Sequence, residues 1–258
     1  MHFATIDCGT TNSRVYVLDA SLRVIAKVSK KVGVRDTAIT GSRQVLREGL
    51  AEIFEHAVGD ARLRVQDLAC AVTSGMITSE IGLLEIPHLV APAGLADLGA
   101  GVMPVQDRTI FPLDVPLLFI RGIKNAYPTE TALRDIRRVD FMRGEETQIM
   151  GLLVHPGMPA PPFTAVVLSS HTKYIPVNED GRIVGSLTTL SGQLFEAIRQ
   201  GTSIGKSIET PETEPEASDL SVVDIAYDAV AQAGFLRSLL MPRFMDVLLN
   251  IPAPLRRR

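Results

Sequence analysis

Between an apolar run at residues 2–6 and another at residues 14–18, the chain reads Asp7-Cys8-Gly9-Thr10-Thr11-Asn12. A glycine there lets the backbone approach a ligand, and successive N–H groups with the Thr10 and Thr11 hydroxyls can hold phosphate oxygens. The Asp7 carboxylate can hold magnesium, directly or through water. As a bare pattern, an ordinary tight turn explains these residues equally well. Arg14 follows, aimed back toward the same end of the strands or simply a surface arginine. A second run of this kind, Ser169-Ser170-His171-Thr172-Lys173, interrupts a later apolar stretch. Its hydroxyls and its cation would complement a transferred phosphoryl group, although His171 is as readily a satisfied loop histidine. A third, Met142-Arg143-Gly144-Glu145-Glu146-Thr147-Gln148, puts two carboxylates at a helix start. Helix capping accounts for acidic residues there. The alternative is that Glu145 or Glu146 acts as general base for a substrate hydroxyl or as a magnesium contact, with Arg143 gripping an acidic substrate through its guanidinium fork.

These residues need elements to position them. His2 to Ile6, Arg14 to Leu18 and Leu22 to Val28 predict an antiparallel meander turning at Asp-Ala-Ser. Leu46, Leu50, Ile53, Phe54 and Ala57 recur at helical spacing after the start signal Thr40-Gly41-Ser42. Strands are predicted at Leu68 to Thr73 and Val115 to Ile120, and helices from Ser74 through Ile81 and over Glu145 to Val154. Beyond a proline-rich joint at Pro156 to Pro162 the pattern restarts. Strands are predicted at Phe163 to Leu168, Lys173 to Val177 and Arg182 to Leu187, with a helix from Gly192 to Arg199. Two meanders, each broken by a small polar turn, suggest an internal duplication with a boundary at 155/156: a first lobe over 1–155 and a second over 156–258. After the acidic stretch Glu209 to Asp219 only helical patterns follow, at Val222 to Leu240 and Phe244 to Leu249, and the chain ends in Arg256, Arg257 and Arg258. The second copy is therefore expected to be incomplete.

With 46% hydrophobic and 21% charged residues, the chain is expected to bury a core rather than stay disordered. A net charge of −3 offers no basic stripe, so nucleic acid is not an expected partner. Cys8 and Cys70 are two isolated cysteines in apolar settings, which argues for a reducing, cytoplasmic setting and against a disulfide framework. No apolar run is long enough to cross a bilayer, so no membrane is expected. Sequence leaves a homodimer open.

Taken together, the motifs resemble those of the 2-dehydro-3-deoxygalactonokinases, within the acetate and sugar kinase, chaperone and actin superfamily. The resemblance covers most of the chain. It rests on IDCGTTNSR (Ile6 to Arg14), SGMITSEIG (Ser74 to Gly82), MRGEETQIMG (Met142 to Gly151), SSHTKYIPV (Ser169 to Val177) and TLSGQLFEAI (Thr189 to Ile198), with RGEETQ the most specific. It implies an α/β, actin-like (ribonuclease H-like) fold of duplicated lobes with mixed sheets and flanking helices. It implies ATP and Mg2+ as cofactors, with Asp7, Gly9, Thr10 and Thr11 in a first phosphate site and Ser169, Ser170, His171 and Lys173 in a second. Ser74, Gly75 and Met76, with Pro92 to Gly94, would form part of a sugar-acid pocket, with Arg14 and Arg143 also on the substrate. The family reaction moves the ATP γ-phosphate to the 6-hydroxyl of 2-dehydro-3-deoxy-D-galactonate, a step of galactonate catabolism. Two motifs depart from the family pattern. Leu168-Ser169-Ser170-His171 stands where Pro-Gly-Thr-His is usual, and Ser191-Gly192-Gln193 where Thr-Gly-Glu is usual. A non-catalytic relative that binds the sugar acid is the competing expectation.

Overall fold

Ala4, Ile6 and Cys8 are buried and alternate with half-buried neighbours along β1 (His2–Cys8), the period-two pattern of a strand with one face on the core. The same alternation marks β2 (Ser13–Leu18), and β3 (Val24–Lys30) completes the meander. Asp19 builds the β2–β3 turn by accepting hydrogen bonds from the amides of Ser21 and Arg23. The computed structural model describes residues 1–128, 130, 133–209 and 221–252. They group into two compact units: Met1–Val167 with Lys173–Thr188, and Leu168–Thr172 with Thr189 onward. The edge of the first unit thus differs from the boundary drawn at 155/156, because the strands after the proline joint pack with the helix before it.

In the first unit the chain continues with α1 (Val34–Thr40), α2 (Gln44–Asp60), β4 (Leu68–Gly75), β5 (Leu89–Val90), α3 (Leu95–Ala100), β6 (Met103–Val105), β7 (Leu117–Phe119), β8 (Ile123–Lys124), β9 (Phe141–Met142), α4 (Glu145–Val154), β10 (Phe163–Val167), β11 (Thr172–Val177) and β12 (Leu187–Thr189). The main sheet has the order β3-β2-β1-β4-β7-β6. β4 runs parallel to β1 and to β7, while the β1–β2, β2–β3 and β6–β7 pairs are antiparallel, so the sheet is mixed. Leu46, Leu50, Ile53, Phe54 and Ala57 of α2 cover it and join Ile6, Val15, Ala71 and Phe119 in one core. Phe54 meets Phe111 edge to face, with ring centroids 5.6 Å apart.

A second core lies between two three-stranded sheets, β5-β8-β9 and β10-β11-β12, and α4: Ile123, Met142, Ile149, Met150, Ile175, Val177 and Ile183 meet there. Lys173 on β11 is buried, and its ammonium donates to the Phe141 carbonyl (2.8 Å) and the Thr188 hydroxyl (2.7 Å), tying β11 to β9 and β12.

In the second unit, α5 (Ser191–Gly201), α6 (Ser203–Ile208), α7 (Ser221–Ala233), α8 (Phe235–Ser238) and α9 (Met241–Val247) follow one another. Ser207 of α6 donates to Asp246 (2.8 Å) and accepts from Arg243 (3.3 Å), both on α9. Among the described residues, no helix is long and apolar enough to cross a membrane. The basic triplet Arg256, Arg257 and Arg258 and most of the acidic stretch lie outside the described residues.

Two expectations are corrected, and a third holds with an addition. The helix from Ser74 through Ile81 is instead the end of β4 followed by one 3-10 turn, Met76–Thr78. Gly75 adopts φ +89°, which L side chains avoid, and turns the chain out of the strand before a helix can propagate. The third strand at Arg182 to Leu187 reduces to bridges of Ile183 with Val177 and Ala93, followed by the short β12. The Thr40-Gly41-Ser42 signal ends one helix as well as preceding another: Gly41 (φ +67°) closes α1, whose seven residues carry too little apolar periodicity to stand out.

Phe54 is fully buried, so replacing it by alanine should leave a cavity that collapses only in part. Urea unfolding of Phe54→Ala should show a loss of about 3–5 kcal/mol.

Candidate active site

The β1–β2 hairpin places Asp7 opposite Arg14, and the two side chains form an ion pair at 3.0 Å, each about half exposed. Beyond Asp7 the turn is fixed by its own backbone and by α1. The Gly9 amide donates to the Asn12 carbonyl (2.9 Å), while the amides of Val34 and Arg35 donate to the carbonyls of Gly9 (3.2 Å) and Thr10 (2.9 Å). Gly33 permits this clamp, since a Cβ on it would lie 2.6 Å from the Gly9 carbonyl oxygen. With the carbonyls held from behind, the hydroxyls of Thr10 and Thr11 have no hydrogen-bond partner among the described residues, and Thr10 is exposed.

On the other side of β1, the parallel register sets Asp7 beside Ser74 and Cys8 beside Gly75. A Cβ on Gly75 would meet the Cys8 carbonyl oxygen at 2.6 Å and an Asp7 carboxylate oxygen at 3.5 Å. Gly144, also at positive φ (+112°), approaches Gly75 in turn: a Cβ on it would stand 3.3 Å from the Gly75 Cα. Two glycines in contact thus bring the first turn of α4 to the end of β1. Met76 and Thr78 occupy the 3-10 turn beyond, and the buried Thr78 hydroxyl donates to the Gly75 carbonyl at 3.1 Å.

Arg143 is half buried. Its guanidinium donates to the Thr78 hydroxyl (2.7 Å) and the Ile86 carbonyl (3.0 Å) and reaches His88 Nδ1 at 3.4 Å. The adjacent glutamates differ. Glu145 is half buried and accepts from the Arg143 amide at 3.2 Å. Glu146 is fully buried, and both its carboxylate oxygens accept from the Gly144 amide at 2.8 Å. Burial pushes its carboxyl up to about 7, against the pull of those backbone hydrogen bonds. In this arrangement Glu146 holds the Gly144 turn, and Glu145 is the carboxylate a ligand can reach.

In the first unit, then, the structure brings together Asp7, Gly9, Thr10, Thr11, Arg14, Ser74, Gly75, Met76, Arg143, Glu145 and Glu146. Lys173, in the same unit, spends two of its three donors on Phe141 and Thr188. Ser169, Ser170 and His171 belong to the second unit and are exposed. There the Ser170 hydroxyl and His171 Nδ1 lie 3.3 Å apart, and the Gln193 amide at the start of α5 donates to the Ser170 carbonyl at 2.8 Å. Gly192 is required at that junction, because a Cβ would strike the Ser169 carbonyl. The helices of this unit also line an apolar cleft of about 380 Å³ that includes Leu194, Phe195, Val230 and Met245 and, among the described residues, no ionisable side chain. Sequence reasoning missed Thr78, His88 and the clamp at Gly33. Only the glycine spacing on either side of the phosphate turn hinted at the last.

An exposed carboxylate at a strand end, beside free hydroxyls and amides, fits a magnesium–phosphate group, for which one or two protein carboxylates with phosphate oxygens and water are the usual ligands. No group of three His, Cys, Asp or Glu side chains suited to a metal occurs among the described residues. A six-stranded mixed sheet covered by α2 and carrying such a turn on its first hairpin makes this an α/β protein. The model of the 2-keto-3-deoxy-galactonokinase family matches residues 7–254, and the chain belongs to that family. A curated relative from Rhizobium meliloti (strain 1021), named as a 2-dehydro-3-deoxygalactonokinase, is 26% identical over 212 residues. That match takes in 82% of this chain, which spans 61% of the relative's length. A crystal structure of a Sinorhizobium meliloti protein described as a 2-dehydro-3-deoxygalactonokinase shares the fold, with a TM-score of 0.72 and 24% identity over 99% of this chain and 76% of the other.

The raised Glu146 carboxyl gives a signed expectation. Folding favours its protonated form, so its contribution to stability is complete below about pH 4.5 and is lost as pH rises through about 7. Denaturant titrations of wild type and Glu146→Gln from pH 4.5 to 8 should show the wild type falling relative to the variant over that interval and running parallel to it above. A pH-independent difference would contradict the burial of this carboxyl.

Proposed function

We propose that this chain is the phosphoryl-transferring part of a sugar-acid kinase that uses Mg-ATP and takes 2-dehydro-3-deoxy-D-galactonate as acceptor at its 6-hydroxyl. The observation that supports the reading is the close approach of Gly144 to Gly75, which itself packs against Cys8 and Asp7 at the end of β1. Bound Mg-ATP would supply the γ-phosphoryl group and neutralise charge as it moves. Asp7 would hold the cation in place of the Arg14 guanidinium, and Thr10 and Thr11 would donate to phosphate oxygens. Arg14, released, turns to the substrate or the transferred group. Glu145 accepts the hydroxyl proton, and Ser74, Gly75 and Met76 form the floor on which the sugar lies. Glu146, whose carboxylate is spent on the Gly144 amide, keeps that floor in shape. Ser169, Ser170 and His171 of the second unit, and Lys173 of the first, are further candidate phosphate-binding residues.

Magnitudes favour this division of labour. Positioning of reactants supplies roughly 7–11 kcal/mol of barrier lowering, and a general base typically about 10²–10⁴-fold in rate. Loss of the cation-holding group should therefore cost more than loss of the proton acceptor.

One observation favours a second reading, a protein that binds the sugar acid without phosphorylating it. Lys173, the cation of the second phosphate motif, is buried and engaged by Phe141 and Thr188.

The test is ADP release from ATP and magnesium with the galactonate-derived acid, and with its gluconate-derived epimer in parallel. The kinase reading expects release that depends on the sugar and falls by about 10²-fold or more in Asp7→Ala, with the thermal midpoint little changed. No release from wild type, with calorimetric binding of the acid intact, would establish the second reading instead.

A further inference from the structure

The small sheet β5-β8-β9 has two faces with opposite chemistry. Ile123 and Met142 point into the second core. Because side chains alternate along a strand, Lys124 and Phe141, paired across β8 and β9, lie on the other face, together with Val90, which pairs with Lys124 from β5. Gly122 and Arg143 continue that face one step beyond the strands, and His88 precedes β5 with the same parity. The contacts agree: a Cβ on Gly122 would lie 2.8 Å from His88 Cδ2 and 2.9 Å from Arg143 Cγ, and the rings of His88 and Phe141 meet edge to face at 5.2 Å. Three short strands thus gather one imidazole, two cations and an aromatic ring.

The charge on this face is unbalanced. Arg143 and Lys124 make no ion pair among the described residues, and neither does Arg121, whose guanidinium donates to the carbonyls of Pro87 and His88 from behind. Arg143 is bonded to neutral oxygens and to the imidazole, and among the described residues Lys124 reaches only the Tyr127 hydroxyl at 3.4 Å and its ring at 5.0 Å. Glu146, and more weakly Glu80 and Glu85, act on Arg143 only from beyond ion-pair distance. Burial, with Arg143, Lys124 and Arg121 around it, pushes the imidazole of His88 down to about 4. The neutral ring accepts from Arg143 at Nδ1, so its proton sits on Nε2, and that atom is buried without a hydrogen-bond partner. A buried donor left unpaired is a group that a water or a ligand oxygen normally satisfies. Phe141, 53% exposed, adds an apolar wall beside these polar groups.

We propose that this face recognises the acidic end of the acceptor: Lys124 and His88, beside Arg143, hold the C1 carboxylate and the adjoining keto oxygen of a 2-keto sugar acid, and the carbon chain runs past Phe141. The inference rests on the kinase reading for the identity of the acid, while the sign of the charge recognised follows from the face itself. From Arg143 the peptide leads directly to Gly144, Gly75 and Asp7, so an acid gripped here extends its far hydroxyl toward the phosphate turn. Lys124 then decides acid against neutral sugar while His88 serves the keto oxygen common to both, a selectivity distinct from phosphoryl transfer.

Calorimetry on the whole chain tests this with two probes, the 2-keto-3-deoxy sugar acid and the uncharged ketose in which C1 is an alcohol. Wild type should bind the acid more tightly. Lys124→Met should weaken the acid by about 10–100-fold, leave the ketose unchanged and so erase the preference, whereas Lys124→Arg should keep it. His88→Gln, which retains a donor but removes the ring, should weaken both probes and preserve most of the preference. Equal binding of the two probes by wild type, or an undiminished preference in Lys124→Met, would overturn the inference. Neither result depends on turnover: ADP release with an undiminished preference in Lys124→Met would sink this inference and leave the kinase standing. A lost preference in that variant, with no ADP release from wild type, would do the reverse.

Discussion

The site depends on how closely three backbones approach one another at the end of β1. Gly75 turns out of β4 at φ +89° against the Cys8 carbonyl, and Gly144 rests on it at φ +112°. Neither could carry a side chain: each would be strained in φ, and at Gly75 the extra carbon would strike backbone. That contact fixes the distance between the Asp7 carboxylate and the first turn of α4, and so determines that the phosphate-type turn and the RGEE segment share one place. The surroundings maintain it with polar groups. Thr78 donates to the Gly75 carbonyl and accepts from Arg143, and Glu146 takes the Gly144 amide with both oxygens.

A buried carboxylate on a backbone amide is a costly way to hold a turn, since desolvation opposes its charge. Its raised proton affinity expresses that cost. The arrangement separates two roles that the sequence leaves merged in Glu145-Glu146: one residue shapes the glycine turn, and its neighbour remains accessible. Arg143 shows the same economy, because its guanidinium braces the 3-10 turn while standing at the edge of an uncompensated basic face.

Much of the frame was legible in the residues. The alternation in β1, the helical spacing of Leu46, Leu50, Ile53, Phe54 and Ala57, and the start of α4 at Glu145 all appear where pattern and burial coincide. The clustering of Asp7, Ser74, Gly75, Arg143 and Glu145 came from motif resemblance rather than periodicity. What escaped reading was short or set by long-range contact. β5, β8 and β9 have two residues each and no period of their own, so the face bearing His88 and Lys124 exists only once Ile123 and Met142 are buried on the opposite side. Lys173 looked like a free cation because its motif contains hydroxyls. Its engagement by the Phe141 carbonyl and Thr188 arises from strand packing across distant parts of the chain.

In the proposed complex one acceptor spans from the basic face of the small sheet, across the paired glycines, to the Asp7 turn. A crystal structure of the protein with the 2-keto-3-deoxy sugar acid and a non-hydrolysable ATP analogue tests it most directly. The acid's carboxylate and keto oxygen should lie on Lys124 and His88, beside Arg143, with the far hydroxyl against Asp7 and Glu145. A sugar acid bound away from both glycines, or lying with its carboxylate at Asp7, would contradict it.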